Sequence, residues 1–156
     1  MKIHIPSYDE RDAIGTEIII HSWDTWNMDH TLALIILPML KQLKKTKHGS
    51  PNVDDSDVPE ELRSTNAAPK ENTWDTDELW HQRWDYVLDE MIWTFEQMHI
   101  EQGWEDQYYG PYIDGPEGGV KDGHFEWVDH EGLKAHQQRM DTGFQLFGKY
   151  YQSLWD

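Results

Sequence analysis

WHQRWDYVLDEMIWTFEQM, residues 80–98, is the stretch whose reading decides the fold. Trp80, Trp84, Val87, Leu88, Met91, Phe95 and Met98 recur at i, i+4, i+7, i+8, i+11, i+15 and i+18, the spacing of one helical face. Thr76 or Asp77 is placed to cap this helix and Gly103 to follow its end, which predicts a helix over 77–102.

Working outward, two further stripes repeat the pattern. Leu32, Ile35, Ile36, Met39, Leu40 and Leu43 predict a helix over 25–47, with Asp24 or Asp29 at its start. Lys44, Lys45 and Lys47 put positive charge on its negative end, and Gly49 and Pro51 stop it. Pro38 lies inside and is expected to kink this helix or split it in two. Leu133, His136, Met140, Phe144, Phe147, Tyr151 and Leu154 predict a last helix over 131–154. Three amphipathic helices must bury their stripes together. The fold class is therefore mainly α: a three- to four-helix bundle in one domain spanning 1–156. A small N-terminal β element and two long loops complete it. The β element covers 2–23, where KIHI and EIIIHSW read as strands joined through Pro6, Asp9, Asp12 and Gly15. The loops are 49–76 and 104–130, which lack helical periodicity and carry most of the prolines. Within the second, HFEWV alternates like a short strand.

Composition narrows function. The chain has 156 residues, no cysteine, and 13 basic against 30 acidic residues, a formal net charge of -17. Cysteine nucleophiles, disulfides and thiolate zinc sites are excluded. A surface so acidic repels phosphate backbones and anionic membranes, so no nucleic-acid or membrane partner is expected. A basic protein partner fits the charge. MKIHIPSYDERD has no apolar segment of the secretory type, and the apolar run Leu32–Leu40 is too short to span a bilayer. Nine tryptophans in so charged a chain argue for a folded domain. No phosphate-binding glycine loop, dinucleotide fingerprint, HExxH or nucleophile elbow is present.

Two sets of residues carry the functional expectations. The first is a binding surface on the loops: Trp104, Tyr108, Tyr109, Tyr112 and Trp127, with Asp54, Asp55 and Asp57. Aromatics beside acid suit a protein partner, and with Trp23 and Trp26 they suit a carbohydrate as well. The plainer alternative is that these rings seal loops onto a small core and that the acids are solvated. The second set is a metal site. At 100° per residue His81, Asp85, Glu96 and His99 share one flank of the central helix, with Asp89 just beyond. His81 and Asp85 stand one turn apart, and His136 and Asp29 project toward the core from the other helices, so the four are the candidate ligands. A divalent metal there would activate water for hydrolysis; otherwise no cofactor is expected. The alternatives are that Asp29 is a helix cap, His136 a satisfied core histidine, and His81 a solvated one.

Three runs, DTWNMDHTLALIILPMLKQLKKTKHGSP at 24–51, RWDYVLDEMIW at 83–93 and GFQLFGKYYQSLWD at 143–156, together resemble small uncharacterised acidic proteins encoded by tailed phages of marine bacteria, cyanophages among them. They cover about a third of the chain. The resemblance implies a phage accessory protein acting in the host cytoplasm, or a virion or assembly component. It carries over no catalytic residue.

Overall fold

The structure, a computed structural model, describes residues 2–4, 17–100, 103–115 and 123–155. The chain is mainly helical: α1 is Met28–Thr46, α2 Trp80–Gln97 and α3 His130–Lys149. The first strand, β1 (Lys2–His4), pairs antiparallel with β2 (Glu17–Ile19), Ile3 opposite Ile18. The expected turn through Pro6, Asp9, Asp12 and Gly15 lies outside the described residues. A second two-stranded ladder joins β3 (Tyr112–Ile113) to β4 (His124–Phe125). The alternation of HFEWV marked β4, whereas Tyr112–Ile113 looked like loop. No helix among the described residues is long and apolar enough to cross a membrane.

The three helices form where the stripes predicted, and α2 packs against both others. Trp84, Val87, Leu88 and Met91 are almost wholly buried, each contributing about 1.5–3 kcal/mol of burial. Ile92, Phe95, Arg83 and Thr94 are buried as well, because a central helix is covered on more than one side. Met98 packs against the edge of this core.

Pro38 does not divide the first helix; α1 runs through it, so no fourth helix arises from a break there. The N–H that proline lacks lies on an exposed part of the helix, where the lost bond is cheapest. The expected caps of α1 differ too. Its N-cap is Asn27, Asp24 instead accepts the His21 amide (2.8 Å), and Asp29 sits in the first turn. The α2 helix starts at Trp80; Asp77 lies just before it and accepts the Leu79 amide (3.0 Å). Asp129, unforeseen as a cap, accepts the Gly132 amide at the start of α3 (2.8 Å).

On both outer helices part of the expected stripe meets the core, with Leu40 and Met140 buried and Ile36, Leu43, Phe147 and Leu154 packed against it, but the buried face is centred about a residue away. On α1 the buried residues are Ala33, Leu37 and Leu40, while Leu32 and Met39 are exposed. On α3 they are Met140, Gly143 and Leu146, followed by Tyr150, while Tyr151 is exposed. Gly143 explains the rotation of α3. A methyl group there would overlap the Thr94 hydroxyl and come within 2.9 Å of the Glu90 carbonyl, so the α2 and α3 backbones meet at this residue.

Candidate functional site

The helix flank proposed for metal is already engaged. Lys47 pairs with Asp85 (2.7 Å), Lys44 with Asp89, and Lys41 with Glu96 (2.6 Å). Rising numbers on α2 meet falling numbers on α1, so the helices are antiparallel and the basic end of α1 lies along the acidic flank. His81 Nδ1 is hydrogen-bonded to Ser50 Oγ (2.9 Å). Asp29 is exposed at the start of α1, 3.9 Å from His30, and His136 lies on α3 among aromatic rings. Only His81 and Asp85 are neighbours; the structure does not bring His136 or Asp29 to them. Among the described residues no group of three or more histidines and carboxylates is placed to hold a metal ion. Helical projection showed a shared flank but could not show that lysines of the next helix would reach it first.

The connector 49–76 lies along the helices as three short 3-10 turns, at Asp55–Asp57, Glu60–Leu62 and Ser64–Asn66. Val53 and Val58 anchor it in the core. The three acids expected to bind a partner hold the connector itself. Asp54 and Asp57 both pair with Lys149 (2.6 Å). The Tyr150 hydroxyl donates to Asp57 (2.5 Å) and accepts the Asp54 amide (3.0 Å). Burial, with the bond to Asp57, pushes the Tyr150 phenol up to about 12. Lys149 is likewise held well above its ordinary value, by its bonds to Asp54 and Asp57. Asp55 accepts both the hydroxyl and the amide of Ser64, and these bonds lower its pKa.

One residue of this region escaped the sequence reading. Arg83 is only 2% exposed. Its guanidinium donates to the Leu62 carbonyl (3.1 Å) and to Asp77 (2.6 Å), whose carboxyl that bond holds below its usual range. The pair forms one wall of an open cleft of about 520 Å³, with Asp54, Asp55, Ser64, Lys70 and Trp80 around it. An arginine just before the buried Trp84 was the available signal, since a charge on a core face must have a partner. Trp74, near the far end of the connector, is 80% exposed and does not pin it. Glu78 performs that task by accepting the Ala68 amide (3.0 Å).

The second segment is held by rings rather than ions. A 3-10 turn, Trp104–Tyr108, lies on α3. Trp104 stacks on the His136 imidazole (4.5 Å between centroids, 16° between planes). The Tyr108 hydroxyl is 2.9 Å from His136 Nδ1, and Trp93 of α2 packs at 4.9 Å. Beside them Arg139 lies 3.8 Å over the Trp93 ring and binds Glu90 through two hydrogen bonds (2.8 and 2.9 Å). Gly132 makes the approach possible: a Cβ there would strike the Tyr108 ring. From this base the chain turns outward as a ladder in which Tyr109 bridges Val128 and β3 pairs with β4. Tyr109 packs on Phe125 (4.6 Å), and Tyr112 meets the same ring edge to face (5.3 Å).

The expected aromatic surface is thus divided. Trp104, Tyr108 and Tyr109 face the protein; Tyr112 (42% exposed) and Trp127 (51%) face outward, joined by Phe125 (42%) and Ile113 (44%). Exposed acids adjoin them in sequence at Asp114, Glu126 and Asp129. Gly118 and Gly119, read as loop, lie outside the described residues. A separate exposed pair, Trp23 and Trp26, stacks at 5.2 Å beside the N-terminal strands. Compared with known proteins, the chain matches no family model, no curated protein and no solved structure.

Proposed function

We propose that this chain is a non-catalytic binding protein in which a three-helix bundle carries the 104–130 segment as a recognition surface for a basic protein partner. The observation that carries this reading is the division of the aromatics. Trp104 and Tyr108 fix the segment to α3 and Tyr109 packs within the ladder it carries, while Tyr112, Phe125 and Trp127 stand exposed in a stretch that also holds the exposed carboxylates Asp114, Glu126 and Asp129. Binding surfaces concentrate their affinity in such rigid aromatic anchors, and the acidic rim steers a basic partner toward them. In the phage setting that the sequence resemblance suggests, this is an accessory protein of the host cytoplasm that inhibits the protein it binds. Nothing in the site favours a hydrolase or an assembly role over this.

The test is capture with a crosslinker placed at Phe125. The crosslinked partner should be a basic protein, and Tyr112→Ala with Trp127→Ala should abolish the crosslink while leaving the helical signal intact. Raising salt from 0.05 to 0.5 M should weaken capture at least tenfold, since the steering charges are exposed. Capture that survives the double substitution would place the interface elsewhere, at the Trp23–Trp26 pair first of all.

A further inference from the structure

His136 is enclosed by three aromatic rings. Trp104 stacks on it, Trp93 packs against it, and Tyr108 meets it edge to face at 5.7 Å while bonding Nδ1. The other ring nitrogen, Nε2, is shut off from solvent and has no hydrogen-bond partner among the described residues. A neutral imidazole tolerates this arrangement at the cost of one unpaired polar atom. An imidazolium would bury a charged N–H with nothing to accept it, which is much costlier.

The charges around the ring offer it no relief. On its own helix Arg139 opposes a second positive charge, and Asp129 is spent on the Gly132 amide. On α2 the carboxylate is Glu90, and both of its oxygens are bound to Arg139. The 104–108 turn contributes the Tyr108 phenol and the exposed carboxylates of Glu105 and Asp106. Indole faces attract cations, but the Trp93 face is already occupied by the Arg139 guanidinium at 3.8 Å.

We propose that His136 is an acid-sensitive latch, holding the Trp104–Tyr108 turn on α3 while its imidazole is neutral and releasing it as the ring takes up a proton. Burial, and then the Arg139 charge, hold the docked ring below the ordinary 6.5. A ring freed from the box titrates near that ordinary value, so the undocked state takes the proton first. Docking is therefore fully present above about pH 6.5 and weakens as pH falls. Each unit below costs it a factor of about ten until the docked ring itself titrates. The device requires no partner and operates in the isolated chain.

The experiment labels the chain with 5-fluorotryptophan and follows its fluorine resonances from pH 7.5 to 4.5. Trp104 is assigned by its loss in Trp104→Phe, and His136 is titrated by its own ring protons. The Trp104 resonance should move toward the solvent-exposed position with the midpoint of His136, below 6.5, while that of Trp84 stays put. In His136→Phe, which keeps a ring in the box but takes no proton, Trp104 should remain docked throughout. The latch is overturned by a His136 midpoint at or above 6.5, by a Trp104 resonance unchanged to pH 4.5, or by movement that persists in His136→Phe. Should that variant not fold, coincidence of the two midpoints in the unsubstituted chain supports the latch, and their separation overturns it.

Discussion

The connector 49–76 and the segment 104–130 read alike in sequence, as long, acidic, proline-containing loops, yet they are attached to the helices with different emphasis, ion pairs in the first and aromatic rings in the second. Beyond the core anchors Val53 and Val58, the connector is tied down by charged and polar bonds: Arg83 to Asp77 and Leu62, Lys149 and Tyr150 to Asp54 and Asp57. The later segment is tied down by rings around His136 and sends other rings outward. The connector carboxylates Asp54, Asp55 and Asp57 are engaged with their own chain, whereas the aromatics of the later segment are divided between base and tip. That difference is why the proposed interface is drawn on the second segment alone.

The most damaging way to break the contrast is at Arg83. Arg83→Met leaves the buried Asp77 carboxylate unpaired and the Leu62 carbonyl without its donor. Removing one partner of a buried ion pair costs about 3–5 kcal/mol, to be read from the urea midpoint. The same pair sets the acid response of the connector. Asp77 has a folded pKa below its usual 3.8, so its contribution is fully present above about pH 4 and is lost only as pH falls through the lowered value. Between pH 6.5 and 4.5 this anchor should hold while the His136 anchor weakens. Parallel loosening of both regions over that range would erase the distinction.

A smaller and more selective pair of changes sharpens it. Tyr150→Phe removes the bond to Asp57 and the acceptor for the Asp54 amide, at about 1.5–3 kcal/mol for a bond to a charged group. Trp104→Ala removes two aromatic contacts of about 0.5–1.5 kcal/mol each. Limited proteolysis should then cut Tyr150→Phe within 54–72 and Trp104→Ala within 104–115, with no crossover between them. The smallest effect belongs to the exposed pairs. Lys44→Met should change stability by less than about 1 kcal/mol, because its carboxylate partner Asp89 is half exposed. A loss as large as that of Arg83→Met would mean that exposed and buried pairs matter equally here.

Much of the site was beyond the reach of sequence reasoning for an identifiable reason. The aromatics of 104–130 were singled out by type and by their place off the helices. Their division into base and tip follows from where α3 and Trp93 lie, which no local pattern records. Asp54, Asp55 and Asp57 looked free because their partners, Lys149 and Tyr150, are more than ninety residues distant for two of them. His81 and Asp85 do share a turn of α2, as spacing required. Yet the lysines noted only as a helix-end signal at 44–47 pair across to Asp85 and Asp89.

What the sequence determined by itself is what local periodicity and local chemistry control: three helices, their approximate limits, the buried stripe of α2, the N-terminal strand pairing and the position of the two connecting segments. Each is a property of a few consecutive turns and of the apolar area they expose together. What only the tertiary structure decided is which edge of a broad stripe is buried and which polar groups find one another. An apolar stripe spans about 100° or more of a helix, so periodicity alone permits a face centred on Leu32 and Met39 or one centred on Ala33 and Leu37. Contact with α2 selected the second. On α3 it was the smallest residue, Gly143, that selected the face, because two backbones approach closest where no side chain stands between them.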